Sequence, residues 1–168
     1  MGVYSIWLML EQDSRSSYRD LIIKLSKKLK TPSFDPHCTI YGRLDLNIDQ
    51  IRPTVIDLVK TNNQFSTNVK RLKTGETKWK SLYLSLDNNE HLRYLYGECK
   101  KKFGSLRRYA FDPHLSIAYG IFDPESIHYA TKNIIIPEYL AFSAIAIVKT
   151  GENIEDWEIV FQRQFEGG

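Results

Sequence analysis

The chain has 168 residues, of which 42% are hydrophobic and 26% charged, with a net charge of +3. That is ordinary globular composition and enough length for one domain with its own core. The mild charge accommodates an anionic ligand without requiring one. Two cysteines are too few for a disulfide framework, which makes a reduced, cytoplasmic setting the expectation.

The first apolar run, Val3 to Leu10, is too short to span a membrane and lacks a basic leader, so it reads as a strand. Ile6 stands where an N-myristoylation signal needs Ser or Thr, and no targeting segment is expected. Tyr18, Leu21, Ile22, Leu25 and Leu29 then recur with helical spacing, and Cys38 to Leu44 reads as a strand. A short helix follows Asn47, with Ile48, Ile51 and Val55 on its inner face. Asn68 to Thr74 and Ser81 to Leu86 are the next strands. Leu92, Leu95, Tyr96, Cys99 and Phe103 mark a further helix, which makes Cys99 a packing residue. Leu115 to Tyr119 is a strand, and Asp123 caps a helix that starts on Pro124. Ala144 to Thr150 and Glu158 to Phe165 close the chain as strands. The mixture predicts an α+β fold, and the short connections predict largely antiparallel sheets. Lys27-Lys28, Lys100-Lys101-Lys102 and Arg107-Arg108 read as solvated faces and turns.

The chain also repeats itself. Phe34-Asp35-Pro36-His37 returns as Phe111-Asp112-Pro113-His114, 77 residues later. Lys73-Thr74-Gly75-Glu76 returns as Lys149-Thr150-Gly151-Glu152 at an offset of 76, and Trp79 returns as Trp157 at 78. Three matches near one offset predict a duplicated unit: one catalytic domain, 1–168, made of two pseudo-symmetric lobes around a shared cleft.

Each copy places a hydroxyl two residues after its histidine: Thr39 after His37, and Ser116 after His114. Residues i and i+2 share one face of a strand. An imidazole and a hydroxyl therefore project together, twice, while Cys38, Ile40, Leu115 and Ile117 seat the strands from behind. Such a set suits cleavage of a phosphodiester. One neutral imidazole takes a proton from water, and the other, protonated, gives one to the leaving alkoxide. The two hydroxyls donate to the non-bridging phosphate oxygens. No carboxylate nucleophile, metal or other cofactor is needed. The other histidines, His91 and His128, lack the hydroxyl partner and fall in helices as surface residues.

Several accessory positions carry two readings. Trp79 and Trp157 can stack a base or pack at the rim of the core. Asp35 and Asp112 are turn residues before proline or catalytic carboxylates. Thr74 and Thr150, each before a glycine, serve a β-turn or line the cleft; Lys73 and Lys149 are weaker candidates for phosphate contact. Tyr119 stands five residues after His114, and Tyr41 four after His37. Strict alternation turns Tyr119 away from the cleft unless a bulge or the strand end intervenes.

These features resemble the 2H phosphoesterase superfamily, whose hallmark is a pair of His-x-Ser/Thr motifs in a bilobal, LigT-like fold. The resemblance is nearest to the plant and yeast cyclic phosphodiesterases. It covers most of the chain, from Val3-Tyr4-Ser5-Ile6-Trp7 through the two motifs and the Thr74-Gly75 turn to Lys149-Thr150 and Trp157. It implies two antiparallel sheets lining a central cleft with helices outside. It further implies His37 and His114 as acid and base, and Thr39 and Ser116 as phosphate ligands. Substrate contacts are implied for an aromatic near Tyr119, with Tyr41, Trp79, Thr74 and Thr150 as further candidates. Those relatives open the 1″,2″-cyclic phosphate of ADP-ribose, a by-product of tRNA splicing, and convert nucleoside 2′,3′-cyclic phosphates to 2′-phosphates. The plant enzymes carry extra cysteines that can pair, and this chain does not, so redox control is not implied. The expected partner is thus a small nucleotide cyclic phosphate, met by a monomer away from membranes. RNA ends or 2′,5′-linked oligonucleotides are the alternative substrates, although no Arg-rich or aromatic-basic tract marks a strand-binding groove. A non-catalytic nucleotide- or RNA-binding module is the alternative outside enzymes.

Overall fold

The computed structural model describes residues 2–167; Met1 and Gly168, the ends of the expected domain, lie outside the described residues. The element order is β1 (Gly2–Leu10), α1 (Gln12–Leu29), β2 (His37–Leu46), α2 (Ile48–Thr61), β3 (Phe65–Thr77), β4 (Lys80–Leu86), α3 (Glu90–Phe103), β5 (His114–Ala118), α4 (Pro124–Thr131), β6 (Tyr139–Lys149) and β7 (Glu158–Gln164), with a 3₁₀ turn at Ile154–Asp156 before β7. Each strand and helix expected from apolar spacing is present. Among the described residues, no helix is long and apolar enough to cross a membrane.

Local chemistry accounts for the helix starts. The Asn47 side chain accepts from the Asp49 backbone while the Gln50 side chain caps the Asn47 amide, so α2 begins with a reciprocal cap. Asn89 accepts from the Leu92 amide at α3, and Asp123 accepts from the Ser126 amide at α4, where Pro124 needs no amide partner. Lys30 ends α1 in the left-handed conformation, with its amide donating to the Ser26 carbonyl.

The order β-α-β-α-β occurs twice, with β6 in the second round matching β3 in the first. All pairings are antiparallel, in the order β2-β1-β6-β3-β4-β5, with β7 on β6. Each round lends its last strand to the other. β6 lies against β1, while β3 from Val69 onward lies against β4. The starts of the two lent strands pair with each other, Phe65↔Phe142 and Ser66↔Ala141 among them. Under the repeat offset of 76, Ser66 maps onto Phe142 and Phe65 onto Ala141. One of these pairings is therefore the image of the other, which places the pseudo-twofold between them. The helices also cross over: α1 packs against β5, and α3 against β2. Ile6, Leu8, Cys38, Ile40, Leu84, Leu115 and Ile117 from both rounds sit in one buried cluster with the helix stripes. Burial of that continuous apolar surface is the main favourable contribution to folding.

The repeated Lys-Thr-Gly-Glu is not a turn in its first copy. Thr74 and Gly75 lie inside β3, and the hairpin turn falls at Lys78-Trp79. The ladder shifts register between Thr74 and Thr77. A Cβ at Gly75 would come within 1.9 Å of the Lys80 carbonyl oxygen, whereas one at Gly151 would meet nothing within 4 Å. A close backbone approach therefore requires the first glycine. Gly75→Ala is expected to cost about 1–3 kcal/mol, and Gly151→Ala to stay within about 0.5 kcal/mol. Urea unfolding of both variants checks this, and equal midpoints would contradict it.

Candidate active site

β2 and β5 stand at the two ends of the strand path, yet they approach each other directly. His37 opens β2 and His114 opens β5. The cross-strand pairs are Met9↔His37 and Trp7↔Thr39 in one sheet, and Ser85↔His114 and Tyr83↔Ser116 in the other. Opposed residues of an antiparallel pair share a face. His37, Thr39, Trp7 and Met9 thus face one side, and His114, Ser116, Tyr83 and Ser85 are their counterparts. Behind them Cys38, Ile40, Leu115 and Ile117 are fully buried. Ala144, Ala146 and Val148 of β6 pack with Trp7 and Met9, so small side chains floor the site there.

Both histidines are held the same way. His37 Nδ1 lies 2.7 Å from the Asp35 carbonyl oxygen, and His114 Nδ1 lies 2.7 Å from that of Asp112. A carbonyl only accepts, so each Nδ1 carries the proton and each Nε2 is left for chemistry. The Asp-Pro-His frame makes this contact by bringing the carbonyl two residues back onto the ring. The Asp carboxylates serve elsewhere. Asp35 Oδ1 accepts from Arg15 at 3.1 Å and Arg19 at 2.9 Å. Asp112 pairs with Lys80, whose hydrogen bond holds its carboxyl below the usual carboxylate range. Asp35 and Asp112 are therefore turn residues that orient imidazoles through their backbone.

The two copies differ in surroundings. Trp7 lies flat on His37, with ring centroids 3.4 Å apart and planes 8° apart. Its counterpart Tyr83 meets His114 edge-on, at 5.3 Å and 69°. His37 is 4% exposed, and burial lowers its pKa to about 4 despite the opposing Asp35 carbonyl bond. His114 is only partly buried; desolvation again lowers its pKa, less drastically. Charge on His114 further lowers the proton affinity of His37, so the rings are electrostatically coupled. Sequence pattern did not single out Trp7 as a site residue.

Thr39 is half-buried beside His37, and Ser116 is 3% exposed, its Oγ without a hydrogen bond of good geometry although the Tyr119 hydroxyl is its neighbour. A buried hydroxyl left unpaired costs free energy unless a ligand completes it. Tyr119 lies just beyond the end of β5, which releases it from strand alternation. It packs against Phe34, Trp79 and Trp157 at centroid distances of 4.4, 5.9 and 5.5 Å. The Thr31 hydroxyl donates to its carbonyl, and burial pushes its phenol up to about 12. Trp79 stacks on Trp157 at 5.9 Å, and Trp157 in turn touches Trp7. The structure thus gathers Tyr119, Trp79, Trp157 and Trp7 around His37.

Tyr41 is a correction. It is fully buried, its hydroxyl donates to the Arg107 carbonyl at 2.5 Å, and it packs among Tyr96, Phe103 and Tyr109. Even spacing from His37 would keep it on the cleft face of an unbroken strand. The ladder instead shifts register between Trp7↔Thr39 and Ile6↔Tyr41, and Tyr41 turns to the core. That removes it from the substrate-contact candidates. Thr74 is exposed on β3, and Thr150 makes weak hydroxyl contacts with Ser5 and Val3 near the end of β6. Neither contacts the histidines. His91, exposed on α3, stacks on Phe65, and His128 is exposed on α4. Among the described residues, no three His, Cys, Asp or Glu side chains gather as metal ligands.

Comparison with known proteins gives consistent results. The model of a family described as cyclic phosphodiesterase-like protein matches residues 1–165. The chain is similar to the cyclic phosphodiesterase of Arabidopsis thaliana, at 23% identity over 94% of this chain and 92% of that one. It superposes on the crystal structure of TT0787 of Thermus thermophilus with a TM-score of 0.69, at 10% identity over 98% of both chains. E. coli LigT complexed with 3′-AMP superposes at 0.63, with 10% identity and 98% of both chains covered. The structural likenesses share the fold, α+β and antiparallel.

The burial of His37 has a consequence for stability. Its folded pKa lies below the unfolded value near 6.5, so between these values the unfolded chain binds more protons. The stabilisation is complete above pH 6.5 and is lost as pH falls towards 4. About 3 kcal/mol should disappear over that interval. His37→Gln should flatten that part of the slope in denaturant titrations across pH, and an unchanged slope would contradict the assignment.

Proposed function

The chain belongs to the cyclic phosphodiesterase-like family and is a 2H-type cyclic phosphodiesterase, and from that premise we propose that it opens cyclic phosphates of small nucleotides by two-histidine acid–base catalysis. The observation that carries this reading is the pair of matched sites, each with an Nδ1 fixed by the carbonyl two residues back and an Nε2 left free. The substrates in view are the 1″,2″-cyclic phosphate of ADP-ribose and nucleoside 2′,3′-cyclic phosphates, the latter giving 2′-phosphates. The setting is cytoplasmic and the working unit a monomer.

The unequal surroundings support a division of roles. His37, sealed beneath Trp7, is neutral at neutral pH, with Nε2 unprotonated, and is the general base. Water gives a proton to His37 Nε2 as its oxygen bonds to phosphorus. The P–O bond to one ribose oxygen breaks, and His114 Nε2–H protonates that oxygen. His114 is the more open ring, and the bound phosphate supplies the negative charge that keeps it protonated. The hydroxyls of Thr39 and Ser116 donate to the non-bridging oxygens, and Ser116 Oγ is free to do so. Trp79, half-buried and backed by the buried Tyr119, offers aromatic surface to the ribose or base. The residues in these roles are proton carriers and neutral donors, so the reaction runs without a metal.

Hydrolysis of ADP-ribose 1″,2″-cyclic phosphate and 2′,3′-cyclic AMP should persist in excess EDTA. His37→Ala and His114→Ala should each lower kcat by about 10²–10⁴, and Ser116→Ala by about 10²–10³. The pH profile should be bell-shaped, with its basic limb abolished in His114→Ala. Full activity in either histidine variant would refute the mechanism.

A further inference from the structure

Lys80 opens β4 and is held at both ends. Its carbonyl oxygen presses against Gly75, where a Cβ would come within 1.9 Å of it. Its ammonium pairs with the Asp112 carboxylate and lies over the Tyr83 ring, 5.0 Å from the centroid. Asp112 and Tyr83 are also the two residues that hold the His114 imidazole. The Asp112 carbonyl oxygen lies 2.7 Å from Nδ1, and Tyr83 meets the ring edge-on at 5.3 Å. One cation thus bridges two supports of one imidazole.

The other imidazole has no such bridge. Tyr83 stands 76 residues after Trp7, and the same offset carries Lys80 onto Tyr4, an uncharged residue near the start of β1. Asp35 takes its cations from α1 instead, through Arg15 and Arg19. The Lys80 tie therefore belongs to the His114 side alone.

A partly exposed ion pair of this kind adds little to stability. Its field matters more, because the ring beside it is largely removed from water. Burial is the main cause that lowers the His114 pKa, and the Asp112 carbonyl bond opposes it; the Lys80 charge lowers it further, and the Asp112 charge raises it. Lys80 and Asp112 thus act on the ring with opposite signs. Of the remaining neighbours, Lys73 on β3 acts on the Asp112 carboxyl, and His37 on β2 is coupled to His114 across the cleft. With its carboxylate engaged by Lys80, Asp112 presents its carbonyl to Nδ1–H, which leaves Nε2 to the cleft.

We propose that Lys80 is a positioning residue for the general acid: it ties the Asp112 turn and Tyr83 to the start of β4, and so fixes the orientation and the electrostatic setting of His114. The consequence for catalysis rests on the functional reading above; the tie itself does not. Lys80 acts through His114 and is not a ligand of the substrate.

The experiment follows the His114 imidazole by NMR across pH, with His114→Gln assigning its resonance, and measures kcat and KM for 2′,3′-cyclic AMP. Lys80→Gln removes a positive charge, so the His114 midpoint should move to higher pH. Asp112→Asn removes a negative charge and keeps the carbonyl, so the midpoint should move to lower pH. Lys80→Arg should hold it at the wild-type value. Lys80→Gln should also lower kcat about tenfold through misplacement of the acid, with KM unchanged, and Lys80→Arg should restore kcat. A merely structural lysine would move the midpoints of Lys80→Gln and Asp112→Asn in the same direction or not at all, and either result would overturn the proposal. Unchanged kcat in Lys80→Gln would overturn it as well, and a raised KM beside it would make Lys80 a substrate ligand. Absence of turnover by the wild-type protein would strike the functional reading, while the midpoints would still decide whether Lys80 governs the ring.

Discussion

Four backbone pairings, from Phe65↔Phe142 to Asn68↔Tyr139, hold the starts of β3 and β6 together. The rest of the molecule depends on this short ladder. It lets each round of the repeat lend its last strand to the other, so neither sheet is complete alone. It also fixes where β2 and β5 end up. Each is the outer strand of its own sheet, and only the shared ladder brings those outer strands face to face. The helices reinforce the exchange, since α1 packs on β5 and α3 on β2.

Symmetry brings the histidines together, and departures from it make them different. Acid–base catalysis at one phosphorus needs one imidazole without its proton and one with it. Two identical environments would leave that choice to chance. Here the backbone frame is preserved: both Nδ1 atoms meet a carbonyl at 2.7 Å. What changes is the cross-strand neighbour of the hydroxyl residue, Trp7 opposite Thr39 and Tyr83 opposite Ser116. The larger indole covers one imidazole flat, while the phenol meets the other by its edge and leaves it more open. The Asp carboxylates diverge too, with two arginines on Asp35 and one lysine on Asp112.

Much of this was legible in the sequence, and the gaps have physical causes. Helical stripes such as Tyr18-Ile22-Leu25 and Leu92-Leu95-Cys99 bury one face only, so their period survives in the sequence. The His-x-Thr and His-x-Ser frames could be placed by their repetition. Trp7 could not, because Ser5 to Leu10 are buried on both faces of β1 and no alternation distinguishes cleft from core. Tyr119 was ambiguous because the strand ends one residue earlier, and Tyr41 because a register shift precedes it; no side-chain pattern encodes either. The Thr74-Gly75 pair looked like a turn, since glycine signals a turn and a close backbone approach alike. Only the Lys80 carbonyl pressed against Gly75 separates the two uses.

The cleft as it stands is poorly suited to being empty. Ser116 Oγ is buried without a well-formed hydrogen bond, and both imidazoles are drawn towards neutrality by desolvation. These conditions share one remedy, a bound anion. A phosphate accepts from the Ser116 hydroxyl, and its negative charge raises the proton affinity of the more open ring. Burial under Trp7 opposes the same response at His37. Binding and protonation are therefore linked: the substrate itself sets the charge state that the proposed mechanism needs. A site built this way keeps neither histidine permanently charged, which avoids the cost of a buried imidazolium in the free protein. The inequality of the two rings then becomes a property of the complex, prepared by the fold and completed by the ligand.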